Sequence, residues 1–316
     1  MISPGTVMIY ILFTILLAIL LDRLAPNRNS ARLWSWYGDW AESIEQRFNG
    51  GTRIQGLSAV FIAVVPLLAA VFLADLILGE IIWVLKFVFD IVVVYLCVDL
   101  YRLGSSAQAV STALDNGDIA EAEAHLRELS GKDTAEHTEA AVARATVEAV
   151  LKQANSLVIA PLFWFVILGP VGAVLQRMAS ALDRLWGHRS ARFAEFGWTA
   201  ARLDDLLGWI PARITALSYA IMGSFEDALH CWRRQAGMWS DINSGPLLAS
   251  GFGAMHLDSC EEPEEDAYGN KIISRTNLTD AGDVRRVVAL VWRVLLFWLG
   301  MAILMLGAHL FGFFVR

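Results

Sequence analysis

Residues 201–215 read ARLDDLLGWIPARIT. Asp204 and Asp205 stand side by side, Arg202 and Arg213 flank them, and Pro211 interrupts an otherwise apolar stretch. This combination suits a phosphorylated ligand. A guanidinium group can grip phosphate oxygens with two parallel donors, and Mg²⁺ is held by one or two carboxylates together with substrate phosphates. Adjacent aspartates cannot face the same way on a helix, so one is expected to cap or pair while the other is left to hold Mg²⁺. Arg202 and Asp205 are three apart and Arg144 and Glu148 four apart, spacings at which helical side chains meet. With Lys132, Asp133, Thr134 and Asp183 they form a polar constellation between residues 130 and 215. The same residues equally suit an ion-pair network that docks polar helices on an apolar bundle. Spacing alone assigns no catalytic residue.

Other chemistries lack their signatures. There is no P-loop, no GxGxxG, no GxSxG elbow and no HExxH. The six histidines have no metal-ligand spacing. Cys97, Cys231 and Cys260 are odd in number and far apart, which argues against a zinc site or a disulfide framework. The acidic loop over residues 257–283, densest at 257–270, lacks the ordered oxygens and glycine turn of a calcium site. A net charge of −7 argues against nucleic acid as a partner.

The elements that must position these residues lie in a membrane. The chain is 56% hydrophobic and 18% charged, with a mean hydropathy of +0.49, whereas soluble domains carry about 25% charge. A span needs about 20 apolar residues. Four stretches qualify or nearly do: 6–21, 57–78, 81–98 and 287–315. The first has no basic flank or cleavage site, so it is expected to remain as a helix. Within 81–98, Lys86 and Asp90 share a helix face and are expected to pair. Segments 157–175, broken at Pro161 and Gly169-Pro170, and 206–223, broken at Pro211, are expected to be re-entrant or interfacial. Irregular backbone at membrane depth is tolerated only inside protein or beside a cavity. Segments 99–156 and 176–205 are expected to be cytoplasmic helices. Within the former, Gly117–Lys132 reads as a helix that Gly131 stops. Arginines in loop 22–56 place that loop inside and both termini in the periplasm of an inner-membrane protein. The fold class is therefore all-α, with about four transmembrane helices.

Several motifs resemble a known family. Gly131-Lys132-Asp133-Thr134, Ala160-Pro161-Leu162-Phe163, Leu182-Asp183 and the run from Phe196 to Arg213 are similar to the CobD/CbiB/AmpE membrane proteins. Asn243-Ser244-Gly245 resembles the family's Asn-Ala-Gly element, which adds Asn243 to the candidate ligand residues. The resemblance extends from Asp22-Arg23 to the 285–298 region. In the synthase branch it implies adenosylcobinamide-phosphate synthesis, in which an aminopropanol arm is joined to a corrin carboxyl with ATP and Mg²⁺. The AmpE branch is linked to signalling in β-lactamase induction.

The chain departs from the synthase pattern at polar positions. Lys152-Gln153 stands where synthases have Glu-Asn, Asn155-Ser156-Leu157 where they have Ser-Asp-Gly, and Gly208 where an Asn follows the Asp pair. Trp164, Trp209 and Trp232 look more like AmpE. The expectation from this mixture is an AmpE-like sensor or modulator without turnover and with no certain cofactor. The alternative is a working synthase that uses Mg²⁺ and ATP. Beyond the lipid bilayer, the partners considered are a nucleotide, a corrinoid or cell-wall-derived ligand, a membrane protein, or a second copy of the chain.

Overall fold

The computed structural model describes residues 4–25, 28–131, 138–187, 190, 192–257, 264–265, 271–272 and 279–310. The protein is all-α and multi-pass. Four helical stretches are long and apolar enough to cross a membrane: Gly5–Leu24, Arg53–Ile81, Glu139–Trp186 and Ala281–Ala308. The helix within 81–98 has fifteen residues, fewer than a span requires. Two two-residue strands, Glu264–Glu265 (β1) and Lys271–Ile272 (β2), pair antiparallel.

The helices divide between two compact units. The first holds α1 (Pro4–Leu24), α2 (Arg28–Phe48), α3 (Arg53–Ile81), α4 (Trp83–Cys97) and α8 (Ala160–Trp186), with residues 198–208 of α9. Its helices pack in neighbouring pairs: α1 on α4, α4 on α8, α8 on α3, and α2 on both α3 and α8. In α3, Thr52 caps the N-terminus by accepting from the Gln55 amide, as a capping hydroxyl does. Gly56, Ala59 and Ala63 then recur on one face, and all three are buried. Small side chains at that spacing let helix backbones approach closely. Tyr37, Ala41, Ile44, Met178, Leu182, Trp186 and Phe196 fill the other side of this core. The opposite face of α3 exposes Phe61, Phe72, Leu73 and Leu76. A large apolar surface of this kind marks a membrane-facing helix.

α8 breaks where the sequence places a Gly-Pro pair. Gly169 takes φ 64 and ψ −153, backbone that glycine adopts without a Cβ penalty. The following Pro170 offers no amide hydrogen to the previous turn. A π-helical turn over Asn155–Ile159 leads into α8.

The second unit holds residues 101–155 and 209–298. It contains most of α5 (Leu100–Asp115), then α6 (Ile119–Ser130), α7 (Glu139–Ala154), α10 (Phe225–Gln235) and α11 (Ser244–Ala254). The latter half of α9 (Trp198–Met222) and residues 281–298 of α12 (Ala281–Leu310) complete it. α6 matches the helix expected from its formers. Asp118 caps it, and Gly131 ends it with φ 67, a left-handed stop. α11 is buried from Gly245 to Ala254 because its glycines admit close neighbours. A Cβ at Gly245 would lie 2.1 Å from the Ala236 carbonyl oxygen, and one at Gly253 2.6 Å from that of Asp227.

The cysteines correct one expectation. Cys97 is a buried free thiol, but Cys231 is disulfide-bonded. An odd count still leaves room for a pair, and separation along the chain does not limit contact in a folded bundle.

Candidate functional site

α9 carries the Asp pair. In the first unit, Arg202 Nη1 donates to Asp205 Oδ2 at 2.9 Å, one turn along the helix. Asp204 and Asp205 are both half-buried, and Asp204 has a partner as well. The ring of Trp198 lies under the Arg202 guanidinium at 5.9 Å. Among the described residues no group of three or more His, Cys, Asp or Glu side chains is placed to hold a metal ion. A magnesium ion here would therefore take oxygens from substrate phosphates as well as from the aspartates. Asp183 lies in the last turn of α8, where its carbonyl accepts from the Gly187 amide at 2.7 Å.

The second unit gathers other candidates. Arg144 is buried, with Nε 3.6 Å from Glu148 Oε1 and its guanidinium 4.2 Å from the Phe252 ring centre. Arg213 is braced on three sides. Its Nη1 donates to the Trp209 carbonyl at 2.9 Å and to Asn243 Oδ1 at 3.2 Å, and its Nη2 reaches the Ile242 carbonyl at 3.5 Å. The guanidinium also stacks 4.2 Å from the Trp209 ring centre. These contacts occupy three of the five guanidinium donors. Nε and one Nη2 hydrogen remain, and together they form the edge that grips a phosphate or carboxylate with two bonds. Asn243 sits at the N-terminus of α11 with its amide bonded to Asp241 Oδ1 at 3.0 Å. The unsatisfied amides at such an end favour anions. Lys132, Asp133 and Thr134 lie outside the described residues.

Sequence reasoning missed a buried polar group in the first unit. Asp22, at the end of α1, is 2% exposed, and Arg177, in the middle of α8, is 4% exposed. Both approach the C-terminal end of α4: Asp22 lies near Tyr95 and Arg177 near Cys97. Arg177 stacks 5.0 Å from the Trp34 ring centre. Trp34 in turn donates to the Leu96 carbonyl at 2.8 Å, and Tyr95 to the Ala25 carbonyl at 2.6 Å. Buried charge at this depth is costly and marks functional positions by default. The Asp22-Arg23 dipeptide at the end of an apolar run was the available signal. Arg177, within a segment read as ordinary cytoplasmic helix, offered none.

The connection from α8 to α9 is anchored by an ion pair. Arg192 donates through Nε at 2.9 Å and Nη2 at 2.5 Å to the buried carboxylate of Glu45. The bond from Arg192 holds the Glu45 carboxyl below its ordinary value, outweighing the opposing effect of its burial. A carboxyl lowered in the folded state adds stability above its unfolded pKa and loses it as pH falls through the folded value. The thermal midpoint of the purified protein is therefore expected to fall on acidification below about pH 4.3, the model-peptide Glu value. That acid-side slope should be shallower in Glu45→Gln, as read by thermal scans across pH.

Comparison with known proteins places the chain. The family model described as CobD/Cbib protein matches residues 15–309. A protein of Stutzerimonas stutzeri (strain A1501) named cobalamin biosynthesis protein CobD is 36% identical over 301 residues, covering 93% of this chain and 97% of that protein. A Chromobacterium violaceum protein of the same name is 43% identical over 204 residues, 64% of each chain. No solved structure matches. These relatives overturn the expectation of an AmpE-like signalling modulator, because both carry the cobalamin-biosynthesis name and the first matches over nearly the full length. Two departures that suggested lost chemistry are structural contacts here. Gln153 donates to the Leu129 carbonyl, and Asn155 Oδ1 accepts from Thr215 at 3.0 Å. The chain belongs to the CobD/CbiB family.

Proposed function

We propose that the protein is an adenosylcobinamide-phosphate synthase, an ATP- and Mg²⁺-dependent amide ligase of cobalamin biosynthesis. The observation that carries this reading is the match to a cobalamin biosynthesis protein over 97% of that relative's length. In the proposed reaction, a corrin carboxylate oxygen attacks a phosphorus of ATP and displaces the leaving phosphate group. The amine of the aminopropanol arm then attacks the activated carbonyl carbon. The C–N bond forms, the C–O bond breaks, the carboxylate oxygen departs on the phosphoryl group, and the nitrogen loses a proton.

The residues have roles suited to that chemistry. Arg213 offers its free edge to a phosphate, braced by Asn243 and Trp209 so that little rotamer freedom is lost on binding. Asp204 and Asp205 supply carboxylates for Mg²⁺, with Arg202 orienting Asp205. Mg²⁺, when bound, would neutralise phosphate charge and withdraw electrons from the attacked phosphorus. Lys132, Asp133 and Thr134 are kept as further ligand- or phosphate-binding candidates from the family motif. Asp183, Arg144 and Glu148 are likewise kept as ligand- or phosphate-binding candidates. The test is direct: purified protein is supplied with adenosylcobyric acid, aminopropanol phosphate, ATP and Mg²⁺. Mass spectrometry should find the amide, which EDTA or omission of ATP abolishes. Lack of product in a complete, folded sample would refute the reading.

The positive charge of residues 22–56 supports an inner-membrane location with both termini in the periplasm, and a cytoplasmic connection between α8 and α9. Ser190 is exposed on that connection. Ser190→Cys should resist a membrane-impermeant maleimide in intact spheroplasts and react after lysis. Labelling before lysis would reverse the topology.

A further inference from the structure

A cavity of about 840 Å³ lies among α1, α3, α4 and α8 of the first unit, within the range of small-molecule sites. None of the candidate ligase residues lines it. Thr6 and Glu80 line it, and the rest of its polar wall is one cluster. Asp90 of α4 is 2% exposed. Its Oδ2 accepts from the Tyr10 hydroxyl at 2.5 Å and from Lys86 Nζ at 3.3 Å, and Lys86 also pairs with Asp75. The Lys86–Asp90 pairing expected from sequence is therefore present, but one ammonium serves two carboxylates. With both carboxylates ionised, the cluster keeps one surplus negative charge.

One acceptor beside this space lacks a donor. Asp90 Oδ1 is buried with no hydrogen-bond partner, a state that penalises the apo site. On the α8 side, Pro170 cannot supply the amide hydrogen that the Val166 carbonyl would meet in an unbroken helix. Val166, Gly169 and Pro170 line the cavity at this break. The other walls are aromatic and aliphatic, with Phe13, Trp83, Phe87 and Phe165 among them.

Surplus negative charge, a carboxylate oxygen without a donor and ring faces together select an organic ammonium. Aromatic faces attract such cations. A metal ion fits worse, because a hard cation requires about six oxygen ligands and these walls are mainly carbon. The rim decides the rest of the occupant. Val7, Phe13, Leu76, Trp83 and Val166 are all exposed on the helix surface, where the protein meets acyl chains. The cavity therefore opens towards lipid, and its occupant carries apolar tails.

We propose that this cavity binds the primary-ammonium headgroup of a bilayer aminophospholipid, with Asp90 as its anionic anchor. Primary ammonium supplies a hydrogen for Asp90 Oδ1. A quaternary headgroup of equal charge supplies none. An anionic headgroup meets the surplus carboxylate charge. This assignment is independent of the ligase reading, and its test does not measure turnover.

The experiment is native mass spectrometry on the delipidated full-length protein in detergent. It is titrated in parallel with dioleoyl phosphatidylethanolamine, phosphatidylcholine and phosphatidylglycerol. One phosphatidylethanolamine per chain should bind about tenfold or more tightly than either other lipid, and Asp90→Asn should lose that preference. The thermal midpoint of the wild-type protein should rise with phosphatidylethanolamine alone, which keeps the proposal testable if the variant does not fold. Equal binding of the three lipids, or an unchanged preference in folded Asp90→Asn, would overturn it. Displacement of the lipid by free ethanolamine at the same concentration would overturn the lipid assignment.

Discussion

Arg213→Ala is expected to lower the rate of amide formation by about two to three orders of magnitude at saturating substrate, the range seen when a preorganised donor to developing charge is removed. The magnitude follows from how the side chain is held. Three of its donors bind the Trp209 and Ile242 carbonyls and Asn243 Oδ1, and the Trp209 ring supports its plane. That bracing fixes the remaining Nε and Nη2 edge before substrate arrives, so no reorganisation is required when phosphate charge develops. Arg213→Lys should recover only a small part of the loss, because an ammonium is a point charge without the fork. Asn243→Ala should show a milder loss, since it removes one brace and leaves the edge. The measurement is the initial rate of product formation, with thermal midpoints confirming that the variants fold. An unchanged rate in Arg213→Ala would remove this residue from the site.

Gly56→Val is expected to have the largest structural effect. A Cβ at Gly56 would lie 2.0 Å from the Phe196 carbonyl oxygen and 2.9 Å from its carbonyl carbon. The obstacle is backbone, so no side-chain rotation relieves it. Overpacking a tight contact costs about 1–3 kcal/mol, and a branched residue against a main-chain carbonyl belongs at the upper end. The consequence reaches function through the connection it disturbs. Phe196 packs in the core shared by α2, α3 and α8, and the next residues begin the helix that carries Asp204 and Asp205. The variant should show a clearly lower thermal midpoint in detergent and reduced yield. Ser58→Ala, two residues away on an exposed position of the same helix, should match the wild type. A midpoint unchanged in Gly56→Val would mean that α3 and the connection do not pack this closely.

The sequence disclosed what depends on local order. Apolar length revealed α1, α3 and the C-terminal helix. Periodicity gave the Arg202–Asp205 and Arg144–Glu148 pairs, because helical neighbours are fixed by spacing. Gly131 and the Gly169-Pro170 pair marked a helix stop and a break through backbone constraints that belong to single residues. Other features arise from packing between distant elements. Tyr10 and Asp90 are 80 residues apart and share a hydrogen bond, and Lys86 finds Asp75 as well as its own helix neighbour. No pattern within one helix announces such contacts. Arg177 is hidden for the same reason.

The misreading of branch has a physical origin too. Polar residues at 152–156 depart from the synthase pattern, yet Gln153 and Asn155 bond a helix-terminal carbonyl and a threonine hydroxyl. A polar side chain in a buried helix must be satisfied locally, so its substitution reports packing as readily as chemistry. Counting such changes does not distinguish a working enzyme from a retired one, whereas identity across almost the whole chain identifies the family.

The measurement closest to the central claim follows an oxygen atom. Adenosylcobyric acid labelled with ¹⁸O in its reacting carboxyl group is incubated with the protein, aminopropanol phosphate, ATP and Mg²⁺. If the protein is an ATP-dependent ligase, one labelled oxygen per amide formed appears in the phosphate or nucleotide monophosphate released, as read by mass spectrometry. Amide formation with unlabelled phosphate products, or no amide from a folded sample, would contradict the account.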